Sequence, residues 1–534
     1  MPQLQRQVFL GSIVVLLLIV GLLPLFSMLF KSMIIDGHFS LEAYRGLLAS
    51  RHQWVLMRHS LALSSWVTLL TLLVGVPLGV ILGKTDLPLR RTFAVLFVTP
   101  LLIPSYIVAV SWFDLLGSEG LLADLLGNPV AQMTNSFLFS LSGCVAVLFT
   151  IFLPIPMLLT MIFLRTIDPS LEEAGRLVSG WFGVLKGISI PLILPAVLLA
   201  AMLVFLLSFG EFSVPAYLRY DVFPVESFTQ FSAFYHFQAA TAAAVPLVAV
   251  TLLLLLAEAL FLQEKTYPLR PSATIGRSMT IALGPYRKGV FVLITLLGFV
   301  IVILPIVVLL IESAGMDAYR EALDRAGGSL LHSLYYAALG ATLLTFVGFF
   351  VGYLIHHRTV RYWRMIDSVT IFLFALPGTV IGIGLISLWN TPWTNFVYAT
   401  PMIIILGYLA KYTALTSRIT AAQLAQISPS MEEAAQVAGA GWFRRMVLIV
   451  IPLSWRALLA GWIVGYLFSL RDTEITMLVY PPGYETLPVR IYTLMANGSP
   501  QLIAALCIIM ISAALLPAAL LWMLYHTMTT KEIK

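Results

Sequence analysis

IDPSLEEAGRLVSGWFGVLKGISIPLILPA, Ile167–Ala196, and ISPSMEEAAQVAGAGWFRRMVLIVIPLSWRA, Ile427–Ala457, are two versions of one segment within a single chain. With one residue deleted from the first copy they align along their whole length. Glu172-Glu173-Ala174 matches Glu432-Glu433-Ala434, Gly180-Trp181-Phe182 matches Gly441-Trp442-Phe443, and Ile190-Pro191 matches Ile451-Pro452. Pro169-Ser170 and Pro429-Ser430 are helix-start signals, and the acidic pairs fall in the first turn, where they complement the helix dipole. Ala and Gly on a short helical face let another protein approach closely. The following Gly permits a turn, and Trp and Phe suit an interfacial position. Pro191 and Pro452 fall near the start of the next apolar run, where proline is tolerated. The pattern predicts a short helix lying along a membrane face, present twice, with the geometry to dock on a two-lobed soluble partner.

The surroundings of these segments are those of a membrane protein. Of 534 residues, 60% belong to the AVILMFWYC set and 10% are charged, too little charge to cover a water-soluble surface. Apolar runs long enough to cross a bilayer give about twelve expected spans. They lie near 8–30, 60–83, 92–114, 137–163, 189–211 and 241–262, then near 288–311, 330–355, 365–388, 396–416, 449–470 and 502–526. The first run has no small-x-small cleavage site and reads as a retained span. Most of the 31 Lys and Arg residues fall on one predicted side, among them Lys84, Arg90, Arg91, Arg176, Lys186, Arg358 and Arg418. The positive-inside rule then puts the N-terminus in the cytoplasm, and it explains the net charge of +6 without nucleic acid. Cys144 and Cys507 lie in apolar runs and read as buried small hydrophobes.

A polar, basic, proline-containing stretch at 263–287 reads as a cytoplasmic linker between two halves, 1–262 and 288–534. The halves repeat. His59-Ser60-Leu61 recurs as His332-Ser333-Leu334, an offset of 273, and at that offset Gly75 matches Gly348, Gly79 matches Gly352 and Pro104 matches Pro377. Both copies run in the same direction, so the repeat is parallel.

On these residues the chain resembles the permeases of ABC importers, whose EAA loop has Glu-Ala-Ala, a Gly six residues after the Glu and a Pro nineteen after it. Glu433, Ala434, Ala435, Gly439 and Pro452 meet that spacing within the loop 427–452. The first loop, 167–191, departs from it: Gly175 replaces the second Ala, Ser179 stands at the Gly position, and Pro191 comes one residue early. The resemblance is closest to fused, double-length type I permeases of the iron(III), thiamine and phosphonate group. It implies an all-α fold of two parallel six-helix repeats, each with a cytoplasmic coupling helix. The coupling role falls on Glu172, Glu173, Ala174 and Gly180, and on Glu432, Glu433, Ala434, Ala435 and Gly439. The implied partners are a homodimeric ATP-binding subunit, which carries the ATP and Mg, a periplasmic or lipoprotein solute-binding protein, and lipid of the bacterial inner membrane. No cofactor is expected on this chain. Iron(III) is the first choice of solute, with thiamine, a phosphonate or a polyamine as alternatives.

Other classes fit less well. Gly79 and Gly83 are one residue too close for GxxxxGK[ST], and the Gly83-Lys84-Thr85 stretch ends an apolar helix instead of following a strand. A gradient-driven secondary transporter shares the span count but has no use for a duplicated EAA loop. No HExxH or GxSxG pattern points to an enzyme. Glu211 and Asp472 are expected at the outer ends of the fifth spans, with Glu474 two residues beyond, as candidates for the translocation path, because ionisable groups near a bilayer core are costly.

Overall fold

The computed structural model describes residues 2–35, 38–261, 280–358 and 362–532. The proposed linker at 263–287 therefore lies outside the described residues up to position 279. Apart from a hairpin of Ile34–Ile35 with His38–Phe39 and one isolated bridge, the regular structure described is helical. Lipid offers backbone groups no hydrogen bonds, and a helix satisfies its own.

In chain order the helices used below are α1 (Gln5–Ser32), α2 (Arg51–Lys84), α3 (Arg90–Leu102), α4 (Ser105–Leu116), α5 (Leu141–Leu164), α6 (Pro169–Val178), α7 (Ile190–Phe209), α8 (Phe223–Ser232), α9 (Phe237–Phe261) and α10 (Gly284–Glu312). The second half continues with α11 (Met316–His357), α12 (Trp363–Ala375), α13 (Gly378–Trp389), α14 (Met402–Leu424), α15 (Pro429–Val437), α16 (Trp455–Leu470), α17 (Leu487–Leu494) and α18 (Pro500–Glu532).

Among the described residues, 9 helices are long and apolar enough to cross a membrane, or 11 when each of two bent pairs counts as one span. The run expected at 396–416 is α14, whose Lys411 and Arg418 leave it too polar to count on composition. The third span of each half is broken at the repeated proline. Ile103 and Leu376, the residues before Pro104 and Pro377, are extended (ψ 139° and 142°), as a following proline demands. In the second half the break turns α12 and α13 through 107°. The fifth spans also differ. The first runs within Trp181–Tyr217, whereas the second bends by 73° between Trp442–Leu453 and α16.

The chain forms two compact units, which cut across the division at 262 and 288. One comprises residues 51–225 and 246–314, the other 1–50, 226–245 and 315–534. The first span of each half thus belongs to the other half's unit. In the unit built on the second half, Phe9 of α1 meets Phe350 edge-on with ring centroids 4.8 Å apart. In the unit built on the first half, Phe291 of α10 meets Phe93 edge-on at 5.7 Å.

The repeated His-Ser-Leu motif does the same work in both units. Ser60 Oγ accepts the backbone N–H of Phe223 at 3.0 Å, and Ser333 Oγ accepts that of Leu487 at 2.6 Å. These are the first residues of α8 and α17, whose N–H groups have no partner within the helix. His59 and His332 pair with the backbone oxygens of Asp221 and Glu485 two residues earlier. Replacing Ser60 or Ser333 by alanine strands a buried N–H, which costs about 1–3 kcal/mol. Similar drops in thermal midpoint are expected for the two variants in detergent, and a neutral Ser333→Ala would show that water replaces the hydroxyl.

The repeated glycines seat the second span on the fourth. An ideal Cβ on Gly79 would lie 2.6 Å from the Met157 backbone oxygen, and one on Gly352 would lie 2.5 Å from that of Ser417. Only a residue without a side chain allows so close an approach.

Candidate functional site

The two EAA segments form separate short helices, α6 and α15, each directly after the fourth span of its half. Asp168 caps α6, accepting from Ser170 N–H at 3.0 Å and from its hydroxyl at 2.9 Å, and these bonds hold the carboxyl below the ordinary range. Ser428 stands at that place before α15 and pairs instead with Ser430 Oγ at 2.7 Å. The helices end differently. Gly439 adopts φ +82°, a left-handed conformation that glycine takes without strain and that closes α15 by a tight turn. In the first copy Ser179 stands at that position and leaves α6 in extended conformation (φ −144°).

The acidic pairs split. Glu172 is 1% exposed, receiving Lys84 Nζ at 2.7 Å and Ser189 Oγ at 3.0 Å. Glu432 is half-buried and lies 3.4 Å from His357 Nε2. That hydrogen bond is the main cause holding its carboxyl below the usual range, helped by Arg445 and Arg6 and opposed by partial burial. Glu173 and Glu433, one residue on, are exposed, as are Ala174, Ala434, Gly180 and Gly439, while Ala435 is half-buried. Beside them stand Leu177 at 90%, Val178 at 89% and Val437 at 89% exposure. Each helix therefore offers an exposed carboxylate next to bare aliphatic side chains, the composition of a docking knob.

Of the aromatic pair in each copy, Phe182 and Phe443 are exposed. Trp442 is buried: its Nε1 donates to Tyr353 Oη at 3.2 Å within a cluster of Phe9, Phe350 and Phe443. Trp181 is half-buried beneath the Arg176 guanidinium, 4.6 Å from its ring.

The candidate pathway carboxylates are engaged at the ends of the fifth spans. Glu211 accepts Ser105 Oγ at 2.7 Å and Ser213 N–H at 3.1 Å. Asp472 accepts the N–H groups of Ile475 and Thr476 on one oxygen and the Tyr412 hydroxyl, at 2.7 Å, on the other. Glu474 receives Lys411 Nζ at 3.0 Å and Gly378 N–H at 2.6 Å. Ser105 and Gly378 are the first residues of α4 and α13, so in each unit a carboxylate closes the N-terminus of the helix that follows the repeated proline, where the dipole favours negative charge. Asp472 and Glu474 share one unit, and Glu211 belongs to the other.

Residues 345–527 match the family described as binding-protein-dependent transport system inner membrane component. That stretch includes the bend at Pro377, α15 and Gly439. Two ferric transport permeases are similar over 87% of the chain. One, of Actinobacillus pleuropneumoniae, is 23% identical with 70% of its own length covered. The other, of Haemophilus influenzae, is provisionally named ferric transport system permease protein FbpB 1 and is 22% identical with 76% covered. Residues 345–527 thus match this family, and over most of its length the chain is similar to transport-system permeases. The spermidine/putrescine permease protein PotC of Escherichia coli is also similar, 25% identical over 34% of this chain and 67% of its own.

The functional groups that sequence reading passes over are the partners of the acidic residues. Lys84 and His357 lie 273 positions apart, the offset of the His-Ser-Leu repeat, so a signal was present in the alignment. Lys84 had been read as one cytoplasmic charge and as part of a false phosphate loop; it is the buried last residue of α2. Ser189 and Tyr412 had no signal, because their partners are brought to them by packing.

Proposed function

We propose that this permease serves an ATP-driven, binding-protein-dependent importer of iron(III). Two copies of a separate ATP-binding subunit dock on α6 and α15, and ATP and Mg stay on that subunit. The observation that carries the reading is the paired, exposed carboxylate-and-aliphatic knobs, Glu173 with Leu177 and Glu433 with Val437, one on each unit. The N-terminus lies in the cytoplasm, as the Lys and Arg distribution supports, and residues 1–262 and 288–534 are two permease halves joined by the linker. Closure of the ATPase pair pushes the two helices and turns the pathway towards a loaded binding protein, and hydrolysis resets it.

Iron(III) as cargo is supported by the similarity, over most of the chain, to two proteins named as ferric permeases. Glu211, Asp472 and Glu474 stand at the outer end of the path in this reading, the first two buried and Glu474 half-buried at the ends of the fifth spans. Reconstitution with the ATP-binding subunit and binding protein encoded beside it tests the function. The expected result is co-purification of an ATPase pair, with uptake of labelled iron(III) that needs both ATP and the binding protein. Uptake driven by a proton gradient without the ATPase would overturn it. Uptake of thiamine, a phosphonate or a polyamine in place of iron would correct the cargo alone.

A further inference from the structure

Each coupling helix is tied back to the long second span of its half through the first glutamate of its acidic pair, and the cation at the other end differs between the units. Lys84 ends α2 and His357 ends α11, at equivalent places in the repeat. Lys84 and Glu172 are both buried, 2.7 Å apart, and Ser189 supplies a third group. His357 and Glu432 are 3.4 Å apart and partly open to solvent. The second glutamate of each pair points outwards. One carboxylate thus faces inwards and its neighbour faces any docked partner.

We propose that Lys84–Glu172 and His357–Glu432 are the struts that pass movement of each coupling helix to the spans, and that the second strut is the stronger while His357 carries its proton. The proposal rests on the coupling reading above. Lys84 and His357 are positioning residues, acting through the glutamates. A two- to three-turn helix hinged at both ends moves its own span only through the chain, whereas a cross-link to α2 or α11 moves a second span with it. Lysine stays charged across the physiological range, while a histidine side chain ordinarily changes charge near pH ~6.5.

The groups facing the second strut are Arg6 from α1, Tyr353, His356 and Arg358 from α11's end, and Arg445 after α15. The ring of His356 lies 4.9 Å from that of His357, and Arg6 and Arg445 add positive charge near Glu432. The Glu432 carboxyl is held low, so it stays ionised through the neutral range and is neutralised only in acid.

The test is solute transported per ATP hydrolysed by the reconstituted complex, at about pH 6 and about pH 8. Taking His357→Lys relative to wild type cancels the pH response of the ATPase. The two should agree at the lower pH, and the variant should exceed wild type at least twofold at the higher. Lys84→His should create a new alkaline loss, and His357→Gln should give low coupling that no longer changes with pH. Identical pH profiles for wild type, His357→Lys and His357→Gln would overturn the strut. Glu433→Arg separates the two levels: if it still couples, the coupling reading fails; if it uncouples while His357→Lys matches wild type at both pH values, only the strut fails.

Discussion

Replacing Glu433 by arginine is expected to lower uptake at least a hundredfold while the amount of permease in the membrane stays unchanged. Glu433 is exposed on α15, beside the bare side chain of Val437, and makes none of the internal contacts that Glu432 makes. Fold and insertion therefore do not depend on it. A reversed charge at a docking surface costs several kcal/mol, and about 2.7 kcal/mol is a hundredfold. Quantitative immunoblotting of membranes beside labelled uptake measures both halves of the statement. Gly439→Arg should act in the same direction by another route, because φ +82° strains any residue with a side chain and distorts the end of α15. Full uptake by Glu433→Arg would remove the coupling role from α15.

Replacing Gly352 by leucine is expected to destabilise the unit built on the second half strongly. Even a methyl group there would lie 2.5 Å from the Ser417 backbone oxygen and 2.8 Å from Thr420 Cβ. Backbone cannot swing aside as a flexible side chain does, so α11 and α14 must separate. Overpacking of this kind costs typically about 1–3 kcal/mol, and leucine lies at or above the upper end. Gly79→Leu should do the same to α2 and α5, since the Met157 backbone oxygen occupies the same place there. Gly328 lies in α11 with nothing within 4 Å of an added Cβ, so Gly328→Ala should be neutral or gain up to about 1 kcal/mol in helix propensity. Thermal unfolding in detergent ranks the three. A Gly352→Leu midpoint equal to that of Gly328→Ala would mean the helices are not so closely seated.

Much of the candidate site was legible because its signals are local. Pro169 and Pro429 start helices wherever they stand. An acidic pair in a first turn, and a glycine where the chain must turn left-handed, need no knowledge of the rest of the fold. The bends at Pro104 and Pro377 could have been read in the same way, since proline dictates the conformation of the residue before it. They were passed over because hydropathy runs smoothly across both. The tenth run went the other way: α14 is a long helix, but Lys411 and Arg418 give up its apolar character to partners elsewhere in the fold, Glu474 and Asp367.

By itself the sequence determined that this chain lives in a bilayer, that it is a parallel duplication, and that each copy carries one amphipathic handle. Composition, periodicity and turn chemistry are properties of consecutive residues. Only the tertiary structure decided that α1 and α10 pack with the opposite halves, and that Glu172 is a buried strut while Glu173 faces outwards. An apolar helix face does not encode which other apolar face it meets. A carboxylate's role depends on whether a cation such as Lys84, 88 residues away, is carried to within 2.7 Å of it.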